Sequence, residues 1–379
     1  MIGKYKIVDS DCHLNEPLEM WGEYLEPAYR DRAPIVGTSP PGQPIGLSDP
    51  WRYLTIEGEP IFGELTQQYW QQVEAQLKAD GGVPDIAEFS SEAYLEAISQ
   101  IGSDVAFLYP TFGLWILYID SMESDLAGAY VRAYNNWLRD FCALDPNILR
   151  GVGVVNQHDP TMMVSELRRI HQLGWKAVML RPNPIKGRLL NDPLYEEFWA
   201  ECERLNIAIS IHEGSHARVP SIGQDRFHTR FGTHASSVPM EHQLALIALI
   251  EGGVLERYPK LKFAFLESGC GWLPYWMWRL DREYEDLKWE IGDRVKMKPS
   301  EYIRRQIYIS LEPSEALYLP HIIELLGSDR LLIGSDYPHV DFDPTVMYDM
   351  ADLEGTLSAQ TIRKIFWDNP CQFYGIDRE

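Results

Sequence analysis

The sequence predicts a (β/α)8 TIM barrel, a closed ring of eight parallel strands, with a long insertion after the first strand. Three observations carry this reading. Eight short apolar, β-rich runs recur along the 379 residues. Helix-like amphipathic stretches separate most of them, and such alternation implies parallel pairing because a parallel crossover needs a dozen or more residues. No GxGxxG follows the first run, which places a doubly wound open sheet second.

The first run, KIVDSDCH (6–13), sets Asp9, Asp11 and His13 at every second position, so a strand would turn all three to one face. Residues 17–95 then interrupt the alternation. Their Gly- and Pro-rich part includes GTSPPGQPIGLSDP, while QQYWQQVEAQLKAD and SSEAYLEAISQIG read as helices. This segment is expected to cap the barrel mouth or to make an oligomer contact. The remaining strands are DVAFLYP (104–110), RGVGVVN (150–156), KAVMLRPN (176–183), AISIHEG (208–214), KFAFLESG (262–269), QIYISLE (306–312) and LLIGSDYPH (331–339). The segments between them, such as PTMMVSELRRIHQLG and DPLYEEFWAECERLN, end on a Gly or Asn, a common helix stop. Residues 215–240 read as a long polar loop, with a helix starting at PMEHQLAL. With no internal repeat or linker, residues 1–379 read as one domain.

Composition narrows the function classes. A net charge of −22 disfavours nucleic acid and anionic membranes as partners. No apolar run reaches 18 residues, and the start MIGKYKIVDSD lacks the apolar core of a signal peptide. Five scattered cysteines without a CxxC read as reduced thiols, so a cytoplasmic location is expected. Twelve Trp and twenty Tyr read as a large core with a dimer interface ahead of an aromatic pocket. Trp51, Tyr69, Trp70 and Trp115 hint at a flat or hydrophobic ligand.

In a parallel barrel all the C-terminal strand ends meet at one rim, where active sites of this fold sit. Here those ends carry Asp11 and His13, Arg181, His212, Glu267, Glu312, and Asp336 with His339. Buried carboxylates brought together are costly unless a cation neutralises them. Two imidazoles with several carboxylates suit a divalent transition ion.

The DxH of the first strand, the His of the fifth and the SDYPH of the eighth resemble the amidohydrolase superfamily, in its amidohydrolase-related (amidohydrolase 2) branch. EHQLALIALIEGGVLERYPKLKFAFLESGCGWLPYWMWRLD and RLLIGSDYPHVD are similar to that branch across strands six to eight. The resemblance implies metal binding by Asp11, His13, His212 and Asp336. It also implies departures: many members open on His-x-His or Glu-x-His, and many carry a histidine where Glu267 stands. Glu267 is then a ligand, a base or a second-metal bridge, and Glu312 could complete a two-metal site. One ion is expected rather than two, zinc ahead of iron or manganese.

The leading expectation is a metal-dependent hydrolase of a small amide, ester, lactone or thioester, using a metal-activated water. Asp336 would move the proton, with Glu267 and His339 in reserve. The alternative is a non-oxidative decarboxylase or carbon–carbon lyase on an aromatic or enolic acid, and a third reading is a non-enzymatic binding subunit. Arg181 would grip a substrate carboxylate, or else pair with a neighbouring rim acid. His158, after strand three, would contact substrate. His216, His228 and His234 read as loop or pocket-wall residues, and His171 and His321 carry no role. The absence of GxSxG and of a nucleophile-turn cysteine disfavours covalent catalysis. A homodimer is expected from family habit.

Overall fold

A computed structural model describes residues 2–36, 54–69, 72, 90–213, 218–339 and 342–377. Eight parallel strands appear where the apolar runs stand. They are β1 (Val8–Leu14), β2 (Val105–Pro110), β3 (Leu149–Gly151 and Gly153–Val154), β4 (Ala177–Leu180), β5 (Ala208–Ile211), β6 (Phe263–Phe265), β7 (Ile307–Leu311) and β8 (Leu331–Ile333). The ladder runs β1–β2–β3 and then β3–β4–β5–β6–β7–β8, every pair parallel. β3 hands over between neighbours at Val152: its first half pairs with β2 and its second with β4.

The ring closes between β8 and β1 without a regular ladder. Asp336 N–H donates to the Asp11 carbonyl (2.8 Å), and His13 N–H donates to the Tyr337 carbonyl (2.6 Å). The Asp9 carboxylate accepts from Ser335 N–H at 2.9 Å and from Asp11 N–H at 3.3 Å. Gly334 permits the approach, since a Cβ there would stand 2.2 Å from that of Asp11. A register shift in β1 between Asp9 and Cys12 breaks the strict alternation expected of the first run. Asp9 therefore serves this seam, while Asp11 and His13 serve the mouth. Burial pushes the Asp9 carboxyl up to about 7.

The helices follow from amphipathic spacing and from their caps. Asp159 caps the helix Pro160–Gln172 and Ser90 caps Ser91–Ile101, each through its side chain. Gly174 (φ +84°) carries the chain from the first of these toward β4. The helix after β5 runs Arg230–Glu251, nine residues longer than the expected start at Pro239. Thr229 caps it by accepting from Gly232 N–H, and Pro239 lies inside it, so the cap rather than the proline sets the start. His234 is consequently helical.

Between β1 and β2 the described residues include the helix Glu19–Tyr24 and a small antiparallel sheet of Ile35–Val36, Leu54–Ile56 and Glu59–Pro60. Phe62 packs edge-on against Trp115 at 4.7 Å, in the helix Phe112–Leu117 that follows β2. Trp115 is thus a core residue, and Arg230 lies 4.1 Å over the ring of Tyr69. Trp51, Trp70, His216 and most of the expected helix at 67–80 lie outside the described residues. Among the described residues no helix is long and apolar enough to cross a membrane.

Candidate metal centre

His13 and His212 meet across the mouth with their Nε2 atoms 3.1 Å apart. Each ring is oriented by the backbone. His13 Nδ1–H donates to the Pro110 carbonyl (3.0 Å), and His212 Nδ1–H donates to the Glu213 carbonyl (2.7 Å). With the proton on Nδ1, both neutral rings present a bare Nε2 lone pair to the same space. Two lone pairs at that distance repel unless something positive lies between them.

Carboxylates surround the pair. Asp11 Oδ1 lies 3.4 Å from His13 Nε2 and 3.5 Å from His212 Nε2. Asp336 Oδ1 lies 3.4 Å from His13 Nε2, and Glu267 Oε2 lies 3.2 Å from His212 Nε2. Asp11 Oδ1 is buried and accepts no hydrogen bond of good geometry. Ligand atoms of Asp11, His13 and His212 fall within 4.8 Å of one another, as do those of His13, Glu267, Asp336 and His339. Apart from His339, five donors of the right types thus converge, with a buried acid oxygen that lacks a partner and two imidazole nitrogens among them. The set fits one divalent ion.

The electrostatics agree. Burial alone would raise the Asp11 carboxyl, but the neighbouring His212 and His13 outweigh it and hold Asp11 well below the usual carboxylate range. Burial would lower His212, yet Asp11 and Asp336 raise it. His13 is pushed down, by burial and then by His339. The acids therefore draw positive charge toward the His212 nitrogen, as they would draw a cation.

Local backbone geometry aims the acids. Glu267 (φ +54°) and Asp336 (φ +59°) both sit in the left-handed region, which non-glycine residues rarely adopt. Each lies just beyond the end of a short strand, where the chain turns out of the sheet. Glu267 is braced by a hydrogen bond from its N–H to Ser310 Oγ (3.0 Å). His339 Nδ1 lies 2.6 Å from Asp336 Oδ1, and its ring lies 4.0 Å from that of His13. Thr111 Oγ1 stands 3.0 Å from His339 Nε2.

Three expected site residues stand apart from this cluster. Glu312 is exposed and accepts from Ser314 Oγ (3.0 Å); it does not complete a second ion position. Its neighbour Glu315 turns inward instead, accepting from the N–H groups of Cys270 (2.9 Å) and Gly271 (2.7 Å), which ties the β7 loop to the β6 loop. Arg181 is fully buried, donates to Asp120 Oδ1 (3.1 Å) and the Pro184 carbonyl (3.3 Å), and lies 5.2 Å over the Tyr118 ring. Of the two roles weighed for it, the structure shows the ion pair with a rim acid. His158 is buried and donates to the Ile119 carbonyl at 2.9 Å, and burial lowers it to about 4.

Two neighbours of the centre had no sequence signal. Thr111 follows β2 as an ordinary turn residue. His242 lies in the helix Arg230–Glu251, edge-on to Phe265 at 5.5 Å, and burial followed by the nearby His212 lowers it to about 3. Helical periodicity places it only on the apolar face.

Residues 115–376 match the family model Amidohydro_2, described as Amidohydrolase, so the chain belongs to that family. Among curated proteins it is 27% identical over 267 residues to 2-amino-3-carboxymuconate-6-semialdehyde decarboxylase of Dictyostelium discoideum, covering 70% of each chain. It is 24% identical over 269 residues to gamma-resorcylate decarboxylase of Polaromonas sp., covering 68% of this chain and 79% of that one. Among solved structures it resembles 5-carboxyvanillate decarboxylase of Novosphingobium aromaticivorans, complexed with manganese and 4-hydroxy-3-methoxy-5-nitrobenzoic acid. That match has a TM-score of 0.71 and 19% identity, and covers 98% of this chain and 97% of the other. These relatives correct the leading functional expectation. They are decarboxylases, so the lyase alternative replaces the hydrolase. The error has a chemical cause: a cation held by imidazoles and carboxylates serves either reaction, and the ligand pattern alone does not choose between them.

Proposed function

We propose that this chain is a metal-dependent, non-oxidative decarboxylase of a small aromatic or enolic carboxylic acid. The observation that carries the reading is the pair of imidazole Nε2 atoms, 3.1 Å apart and ringed by Asp11, Asp336 and Glu267. These five residues would hold one ion. Oxygen donors outnumber nitrogen donors, and a relative binds manganese, so manganese stands ahead of zinc or iron here. Bound there, the ion supplies Lewis acidity that stabilises the electron pair left when the carboxylate departs.

The chain's own residues do the rest. The bond between the carboxyl carbon and its neighbour breaks, carbon dioxide leaves, and a proton takes its place with no change of oxidation state. Asp336 or Glu267 would pass that proton on from solvent to the carbon, with His339 Nδ1 2.6 Å from the first. Arg181 and His158 shape the wall of the mouth from the β3–β4 side, bound to neighbouring chain atoms.

The test is direct. Protein purified without added metal is assayed for its metal content and then offered hydroxylated benzoates and enolic acids with that ion present. Stoichiometric metal with release of carbon dioxide, and no oxygen from solvent water in the organic product, is the expected result. A water-derived oxygen in the product, or metal-free protein that decarboxylates at full rate, refutes the reading.

A further inference from the structure

The observation that reaches beyond this reading is a chain of three side chains drawn from opposite sides of the β1 strand. Thr111 follows β2, and Asp336 and His339 follow β8; between them lies His13 on β1. Thr111 Oγ1 stands 3.0 Å from His339 Nε2, and His339 Nδ1 stands 2.6 Å from Asp336 Oδ1. Asp336 Oδ1 in turn lies 3.4 Å from His13 Nε2. Thr111 is 3% exposed, so its hydroxyl is not replaceable by bulk solvent.

Donor chemistry orders the chain. An ionised Asp336 can only accept, so the 2.6 Å contact favours a His339 proton on Nδ1. A neutral His339 then has a bare Nε2, and of the two atoms facing each other there only the threonine hydroxyl can donate. The hydroxyl can also turn and accept if Nε2 is protonated, so the link survives in either state of the ring. Valine would match threonine in shape and lack both abilities.

We propose that Thr111 is a positioning residue for the metal centre: its hydroxyl holds the His339 ring in the orientation that fixes the Asp336 carboxylate beside His13. The role rests on the metal-centre reading above. Asp336 needs such a brace because its left-handed backbone places it on a turn outside the sheet. A ligand on regular strand, such as His13, is held by the ladder itself. Partners that orient a ligand in this way contribute roughly 10- to 100-fold to metal affinity.

The experiment compares the full-length chain with Thr111→Val and Thr111→Ser. Metal affinity is read by competition with a chromophoric chelator, using manganese as the probe. Imidazole nitrogens are read by long-range ¹H–¹⁵N correlation on histidine-labelled protein, with His339→Gln identifying the His339 signals. The expected result is a His339 Nδ1–H tautomer in the parent chain. Thr111→Val should show a displaced His339 Nε2 resonance, from the lost hydrogen bond, and affinity lowered by about tenfold. Thr111→Ser should restore both, and thermal midpoints should confirm that all variants fold. Parent-like affinity and parent-like nitrogen shifts in Thr111→Val overturn the role while leaving the metal centre standing. A parent chain that binds no manganese, zinc or iron overturns the centre and this role together.

Discussion

At the ends of β3 and β4 each polar side chain makes at least one bond to the chain itself, whereas at the ends of β1, β5, β6 and β8 they face one another. His158 donates to a carbonyl and is buried without needing a guest, and Arg181 pairs with Asp120 through Nη2 while its Nε and Nη1 are buried with no hydrogen-bond partner. Glu16, three residues past His13, belongs to the same self-satisfied class. Its two oxygens accept from Phe112 N–H (2.8 Å) and Gly113 N–H (3.0 Å). His13, His212, Asp11, Asp336 and Glu267 instead crowd lone pairs and charge into one space. Position at the rim and residue type are shared by the two regions. What separates them is whether the chain supplies each group's complement or leaves it to something else.

The contrast breaks most completely if His212→Ala still holds metal. We expect that variant to lose stoichiometric metal by elemental analysis and to release carbon dioxide at background rate. Undiminished metal would mean that the crowded lone pairs are not ligands.

Glu16 sharpens the other side. Burial, opposed by the backbone N–H groups, raises its carboxyl from 4.5 to about 7. Between those values the folded chain holds a proton that the unfolded chain has released. Stability therefore falls as pH rises from 4.5 to 7, by roughly 3 kcal/mol from this group, and the loss is complete above 7. Chemical denaturation of Glu16→Gln across that range should lack this component of the slope. An unchanged slope would show that burial does not raise the Glu16 carboxyl.

Glu267→Gln keeps the shape and removes the charge. It should lower kcat/KM for carbon dioxide release about 30-fold, close to 2 kcal/mol in the barrier. Parent-like kinetics would move Glu267 to the self-satisfied class. The smallest effect is expected from Arg181→Met, about 1 kcal/mol of stability, because its partner Asp120 stays partly solvated. Its kcat should be nearly unchanged. A large rise in KM, with stability intact, would return Arg181 to the role of a substrate clamp.

The barrel was legible because its strands are apolar on both faces and its helices are amphipathic, two periods that a sequence displays openly. Asp11, His13, His212, Glu267 and Asp336 were legible because they end those strands. What escaped depends on geometry that periodicity does not encode. The register shift in β1 moved Asp9 to the seam. A turn of the backbone decided that Glu315 rather than Glu312 faces inward. Thr111 meets His339 across 228 residues, with no local pattern to announce it. The choice between hydrolysis and decarboxylation escaped for a different reason, since it lies in the substrate that the ligands receive.

The seam between β8 and β1 also governs when the protein can work. Asp9 and Ser335, which close it, are 326 positions apart, and the ion's neighbours come from both edges. A ribosome must therefore release the 326 positions between them before the first strand finds its last companion. Until then the acids of the N-terminal segment have no shared space in which to gather, so a cation can be captured only by the finished ring.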